Sequence, residues 1–268
     1  MLEVLLYDGS YPGFLSACLN ALRRGDEEVE IRQGEEGQLV LGGYYLVEAG
    51  PDDAAKMRSW IAEQMGRKAE RWAELAFRSE FQDREEALLA FFRLGLKEGR
   101  RWDRQPLPPE VERVARMARF TWREYHRWKG ITRFSRPVEG GRYLAEVEPS
   151  ADIIELLAAH FRKRMPTLSW EIRDLKRAKR AVHRASYHLL EETTERFLPE
   201  RDRAFSLWKV YYTSIYLPER LNPRLKRSHL PARYWKFVPE YVESATKGPV
   251  VDRLDFDSGL NIETKIQI

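Results

Sequence analysis

Apolar positions along the chain change their period several times, and each change predicts an element. Residues 2–7 (LEVLLY) form a short run that is apolar at every position but Glu3, the pattern of a buried strand. Asp8-Gly9-Ser10 predict a turn, and Gly13 leads into a helix over about 14–24. A short strand is expected at 29–31, and another over 39–41 and 44–47, with Gly42-Gly43 between them as a turn or a bulge. Asp52 and Asp53 suit the first turn of a helix, and Met57, Trp60, Ile61 and Met65 then recur at helical spacing. Further helices are expected over about 69–80 and 83–98.

Three prolines in 103–109 (DRQPLPP) interrupt this pattern and predict a linker, with Pro109 placed to begin the next helix, about 109–129. Strands are expected at 131–136 and 143–147, joined as a hairpin through Glu139-Gly140-Gly141, and at 168–172. A helix over 151–164 is stopped by Pro166, and helical spacing returns over about 174–195 and 201–216. Residues 231–237 predict a short aromatic helix or turn, and the polar end of the chain a strand-like or mobile tail. The expected fold is α+β: a small antiparallel sheet covered by helices, preceded by a strand-plus-helix N-terminal part. The expected domains are 1–104, a basic domain at 110–243, and a polar tail at 244–268.

Composition narrows the class. Of 268 residues 43% are hydrophobic, and twelve Phe, twelve Tyr and eight Trp argue for a packed core rather than a solvated coil. No apolar run reaches the roughly 18 residues of a membrane span, and the opening segment lacks the basic region of a secretory leader, so a cytoplasmic protein without membrane association is expected. The single cysteine, Cys18, excludes an internal disulfide and reads as a small buried hydrophobe. There is no phosphate-loop motif, no GxGxxG, no HExxH and no zinc-spaced Cys/His set, so no metal or cofactor is expected. Glu124, Asp152 and Asp174 have the chemistry of a general acid or base, and Asp8 that of a turn former.

Charge is distributed unevenly: net −6 over 1–110, +12 over 111–247 and −2 over 248–268. The basic part points to a polyanionic partner, DNA first. Arg113, Arg116, Arg119, Arg123 and Arg127 follow three- and four-residue steps along the 109–129 helix, with Val111, Val114, Met117, Phe120 and Trp122 left for packing. His126, Lys129, Arg133 and Arg136 prolong that surface. A second basic cluster holds Arg173, Lys176, Arg177, Arg180 and Arg184, near His183 and His188. A third, 207–237, interleaves Trp208, Tyr211, Tyr212, Tyr216, Tyr234 and Trp235 with Lys209, Arg220, Arg224, Arg233 and Lys236, the ingredients of unpaired-strand binding, although Trp208 and Tyr212 suit a core better and Tyr234 and Trp235 suit either role.

The stretches YDGSYPGFLSACLNAL (7–22), EYHRWKGITRF (124–134), YLAEVEPSADIIELLAAHFRKRMPTLSWEIRDLKR (143–177) and LWKVYYTSIYLPERLNPRLKRSHLPARYWKF (207–237) together resemble a bacterial family assigned to DNA metabolism or DNA repair. The resemblance implies pairing with a radical S-adenosylmethionine protein and a relation to a module fused to uracil-DNA glycosylase-like proteins. By position it singles out His126, Gly130, Arg133, Phe134, Tyr212, Arg220, Asn222, Pro223, Pro231, Arg233, Tyr234 and Trp235. It also implies a glycine turn and another strand after Asp174, where this chain has a basic, helical pattern instead. Three functions follow as expectations: a nucleic-acid-binding repair accessory, a carboxylate-dependent glycosylase-like enzyme, or an adaptor for the radical enzyme.

Overall fold

The computed structural model describes residues 3–25, 29–34, 44–46, 50–134, 141–184, 187–192, 224, 228 and 230–238. The chain divides into two compact units, Met1–Phe197 and Leu198–Ile268.

The first unit is α+β. Strand β1 (Glu3–Tyr7) is the centre of a three-stranded parallel sheet, between β2 (Val29–Gln33) and β3 (Tyr44–Leu46). Helix α1 (Tyr11–Arg24) follows β1 directly. Ser10 caps it by accepting from the Gly13 amide, and Gly25, at φ +71°, ends it in the left-handed conformation. The predicted Asp8 turn is present: the Asp8 carboxylate accepts from the Ser10 amide (2.9 Å) and hydroxyl (2.7 Å). Cys18 is fully buried, and burial pushes its thiol well above the ordinary value.

Helix α2 (Pro51–Trp60) runs into a π-helical turn (Ile61–Met65), followed by α3 (Arg67–Phe77) and α4 (Arg84–Glu98). Helix α5 (Pro109–Ile131) packs on α3 and α4, and its Val111, Val114 and Met117 share one core with Leu5, Phe14, Ala73, Leu88, Phe91 and Trp102. The proline-bearing segment 103–109 therefore lies inside the first unit, since the helix that it precedes completes the core of the helices before it.

The second sheet has the order β4-β5-β6-β7: Tyr143–Val147, Trp170–Asp174, Lys179–Arg184 and Tyr187–Glu192. It corrects the sequence reading in three places. Strand β4 runs parallel to β5, with α6 (Ile154–Arg164) as the crossover, so β4 is not the second arm of a hairpin. The strand expected at 131–136 is absent over 131–134. Helix α5 continues to Ile131, and both the amide and the hydroxyl of Thr132 donate to the Trp128 carbonyl (2.9 and 2.6 Å). Residues 135 and 136 lie outside the described residues.

The third correction concerns the helix expected over 174–195. Its described part is a tight turn and two antiparallel strands. The Asp174 carboxylate accepts from the Lys176 and Arg177 amides, and Ala178 takes a left-handed φ of +52°. Strand β5 is buried at every position, and Ala181, Val182 and His183 of β6 are buried beside it, so sheet pairing overrides local preference.

The two halves of the unit are joined at the α3–α4 corner. The Asp152 amide donates to the Arg78 carbonyl (2.8 Å), Arg78 pairs with Glu74 and Glu155, and Glu80 receives Lys176 and Arg177. Glu80 itself has a left-handed φ of +56°, a strain that its two cation contacts offset.

In the second unit the described residues include a 3-10 helix, Ala232–Phe237, following Pro231.

Candidate nucleic-acid interface

Helix α5 sorts its residues by face. Val111, Val114, Ala115, Ala118, Thr121 and Trp128 are buried, at the spacing of one helical stripe. Arg116, Arg119, Trp122, Arg123 and His126 are exposed on the other side. Glu110 and Glu112 occupy the first turn and Lys129 the last, as the helix dipole favours.

The predicted arginine row is thereby divided. Arg113 is held by Asp83 (2.8 Å) and Glu86 (3.0 Å), and Arg127 by the buried Glu124 (3.0 Å). Arg116, Arg119, Arg123 and Lys129 have no carboxylate within ion-pair distance among the described residues. Lys129 instead lies 4.7 Å over the Tyr125 ring.

Helix α3 supplies the second wall. Arg67, Lys68, Arg71, Trp72 and Leu75 of α3 face Ala118, Arg119 and Trp122 of α5 across a cleft of about 540 Å³. Four of the eight lining residues are cations and none is a carboxylate. Lys68 donates to Asp103 (2.8 Å) at the edge, and its ammonium lies 5.1 Å over Trp72 and 5.3 Å over Trp102. Arg67 and Arg71 form no ion pair among the described residues. The Arg71 guanidinium sits 4.5 Å over the Trp122 ring.

Trp122, read from the sequence as a packing residue, is 36% exposed. Its indole meets His126 edge-on at 4.3 Å and Tyr125 at 5.5 Å, so three rings and four cations form one continuous surface with the cleft.

The local field is positive. Desolvation and then the charges of Lys129 and Arg71 hold the His126 imidazole below its ordinary value. His160 on α6 is lowered likewise, by desolvation, Lys129 and Arg164, so the field extends across α5 to the basic end of α6.

The other predicted site residues are distributed differently. Arg133 donates to the Gly130 carbonyl (2.8 Å). Lys176 pairs with Glu80, and Arg180 with Glu191. The buried Glu171 gathers Arg142 and Arg173, with Arg180 at 4.0 Å, so in the second basic cluster Arg173 and Arg180 are matched by carboxylates of the sheet, Lys176 by Glu80 outside it and Arg177 by both Asp174 and Glu80. In the second unit Tyr234 is buried and Arg233 lies over its ring, while the Trp235 indole N–H donates to the Leu230 carbonyl (2.9 Å). Lys209, Arg220 and Asn222, with Trp208, Tyr211, Tyr212 and Tyr216, lie outside the described residues.

The candidate acid–base carboxylates all hold the fold together. Glu124 accepts from the Ser150 amide and Arg127, Asp174 from its own turn and Arg177, and Asp152 from Lys179. Among the described residues no group of three or more His, Cys, Asp or Glu is placed to hold a metal, and no helix is long and apolar enough to cross a membrane.

A second cavity, of about 820 Å³, opens at the carboxyl ends of β1 and β2 and reaches the α3–α4 corner. Its Arg78, Arg84, Arg177 and Lys179 are each matched by an acid: Glu74 and Glu155, Glu85, Glu80 and Asp152. It is charged but internally balanced, unlike the α3–α5 cleft.

Sequence reasoning missed the α3 wall. Its signal was present in RKAERW (67–72), where Arg67 and Arg71 stand one helical turn apart with Lys68 and Trp72 displaced by one. That segment belongs to the acidic part of the chain, so overall charge concealed it.

No curated protein matches this sequence. A family profile does, over residues 82–240, more than half of the chain. The matched region includes all of α5 and the second sheet, but α3 lies before it. The chain belongs to the DUF4130 family, a domain of unknown function.

Proposed function

We propose that this protein binds nucleic acid through the exposed face of α5 together with α3, in the setting of DNA metabolism or repair that the sequence resemblance implies. The observation that carries this reading is a cleft with cations on both walls and no carboxylate in its lining. Like charges at this spacing repel, so the face gains free energy from a bound polyanion. Arginine forks match phosphate oxygens, and neighbouring rings offer stacking surface. A radical S-adenosylmethionine protein as partner belongs to the same proposal and is tested by co-purification.

The principal test is a titration of the purified chain against labelled DNA at several salt concentrations. The expected result is affinity that falls steeply as salt rises, because phosphate contacts release counterions. Absence of binding at low salt, or binding indifferent to salt, overturns the reading.

A further inference from the structure

We propose that the α3–α5 cleft is a seat for an unpaired nucleobase, which makes the preferred ligand a single strand rather than a duplex. This inference rests on the nucleic-acid reading and names its substrate class.

A smooth cationic surface would satisfy a duplex, whose bases are stacked inward and whose exterior is phosphate and sugar. This cleft contains more than charge. Leu75 and Ala118 are buried and contribute apolar lining, and the small Ala118 side chain leaves room between the helices. Trp72 and Trp122 add rings to that lining, and the volume, about 540 Å³, lies within the roughly 300–1,000 Å³ of sites that enclose small molecules.

The Arg71 guanidinium lies on the Trp122 indole at 4.5 Å, and both are planar groups of the kind that unstacked bases rest on, so a base would stack against this pair rather than between its members. His126 and Tyr125, at 4.3 and 5.5 Å from Trp122, continue the rings beyond the cleft, where a following base would lie. Arg67 and Arg119 in the cleft and Arg123 beside it are then available to the backbone on either side. An acidic peptide would use the cations but leave the rings without a function.

The test uses the full chain with a fluorescein-labelled oligothymidine of about 20 nucleotides, the matching duplex, and polyglutamate as competitor. The expected result is tighter binding of the single strand than of the duplex. Trp122→Ala should weaken single-strand binding about ten-fold or more, leave duplex binding nearly unchanged and leave the salt slope intact, since indole carries no charge. Trp122→Phe should recover most of the loss. The indole is 36% exposed and otherwise packed, so thermal unfolding is recorded for both variants, and Trp122→Phe, which keeps a ring there, should unfold close to the parent.

Equal affinity for single strand and duplex, with Trp122→Ala affecting neither or both alike, overturns the base seat while leaving nucleic-acid binding in place. Displacement of the oligonucleotide by polyglutamate at equal charge concentration shows a general anion surface and also overturns it. Failure to bind either nucleic acid overturns the underlying reading, and the base seat with it.

Discussion

The guanidinium of Arg71 lies 4.5 Å over the indole of Trp122, so a cation from α3 and a ring from α5 present one surface. The two residues are 51 positions apart in a chain whose net charge changes sign between them. Their meeting follows from the packing of α3 on α5, which turns two separate helix faces into a cleft.

Arginines in this protein fall into binding and structural sets, and paired substitutions should separate them. Arg71→Gln and Arg123→Gln are expected to weaken DNA binding across sequences and reduce the salt slope by about one each, with stability within about 0.5 kcal/mol of the parent. Arg113→Gln is expected to do the reverse. Losing Asp83 and Glu86 should cost up to about 1 kcal/mol in urea denaturation, with the salt slope unchanged.

Binding should tighten on acidification. In the free protein His126 faces Lys129 of its own helix and Arg71 of α3, and His160 faces Lys129 of α5 and Arg164 of its own helix; desolvation and these charges hold both imidazoles below the ordinary 6.5. A bound phosphate raises them again, so binding takes up protons and strengthens as pH falls through that range. An increase of about two- to five-fold between pH 8 and 6 is expected, reduced in His126→Gln. Titrations at constant ionic strength measure it, and a pH-independent affinity contradicts it.

The α3–α4 corner should be acid-sensitive. Burial alone would raise the Glu80 carboxyl, but hydrogen bonds from Arg177 and Lys176, and then their charges, hold it below its ordinary 4.5. A lowered carboxylate contributes stability above its unfolded value, and the contribution is lost as pH falls through the folded one. Stability should therefore decline below about pH 4.5, and Glu80→Gln should flatten that decline while lowering stability at neutral pH. Thermal unfolding followed against pH reads both effects.

Gly13 is required by the turn before α1. A Cβ there would lie 2.1 Å from the Asp8 carboxylate oxygen that accepts from Ser10. Gly13→Ala is expected to destabilise by about 1–3 kcal/mol, despite the better helix propensity of alanine. Adding Asp8→Ala should recover part of the loss, and a double-mutant cycle by urea denaturation measures the coupling.

Ala178 carries a left-handed backbone at the β5–β6 turn. Left-handed φ costs a Cβ-bearing residue about 1–2 kcal/mol, part of which a glycine returns as unfolded-chain entropy. Ala178→Gly should raise stability by about 0.5–1 kcal/mol, read as a higher urea midpoint.

The turn also explains why β6 was hidden. Arg173, Lys176, Arg177, Arg180 and Arg184 stand at steps that suit a helix, and no glycine marks the reversal. The strand is decided by partners far along the chain: β5 on one side, β7 on the other, and the buried Glu171 that gathers arginines. Local periodicity contains none of these.

What the sequence determined alone was the set of features internal to one element: the β1–turn–α1 start with its Asp8 turn, the helices α2 to α6 near their observed bounds, the buried Cys18, and the exposed basic stripe of α5. The tertiary structure alone decided which cations are spent on carboxylates, as Arg113, Lys176 and Arg180 are, and which have no carboxylate within ion-pair distance among the described residues, as is true of Arg71, Arg119 and Arg123. It also decided that Trp122 stands in a cleft with α3. A helix's periodicity records which residues share a face, whereas the charge remaining on that face depends on what long-range packing brings against it.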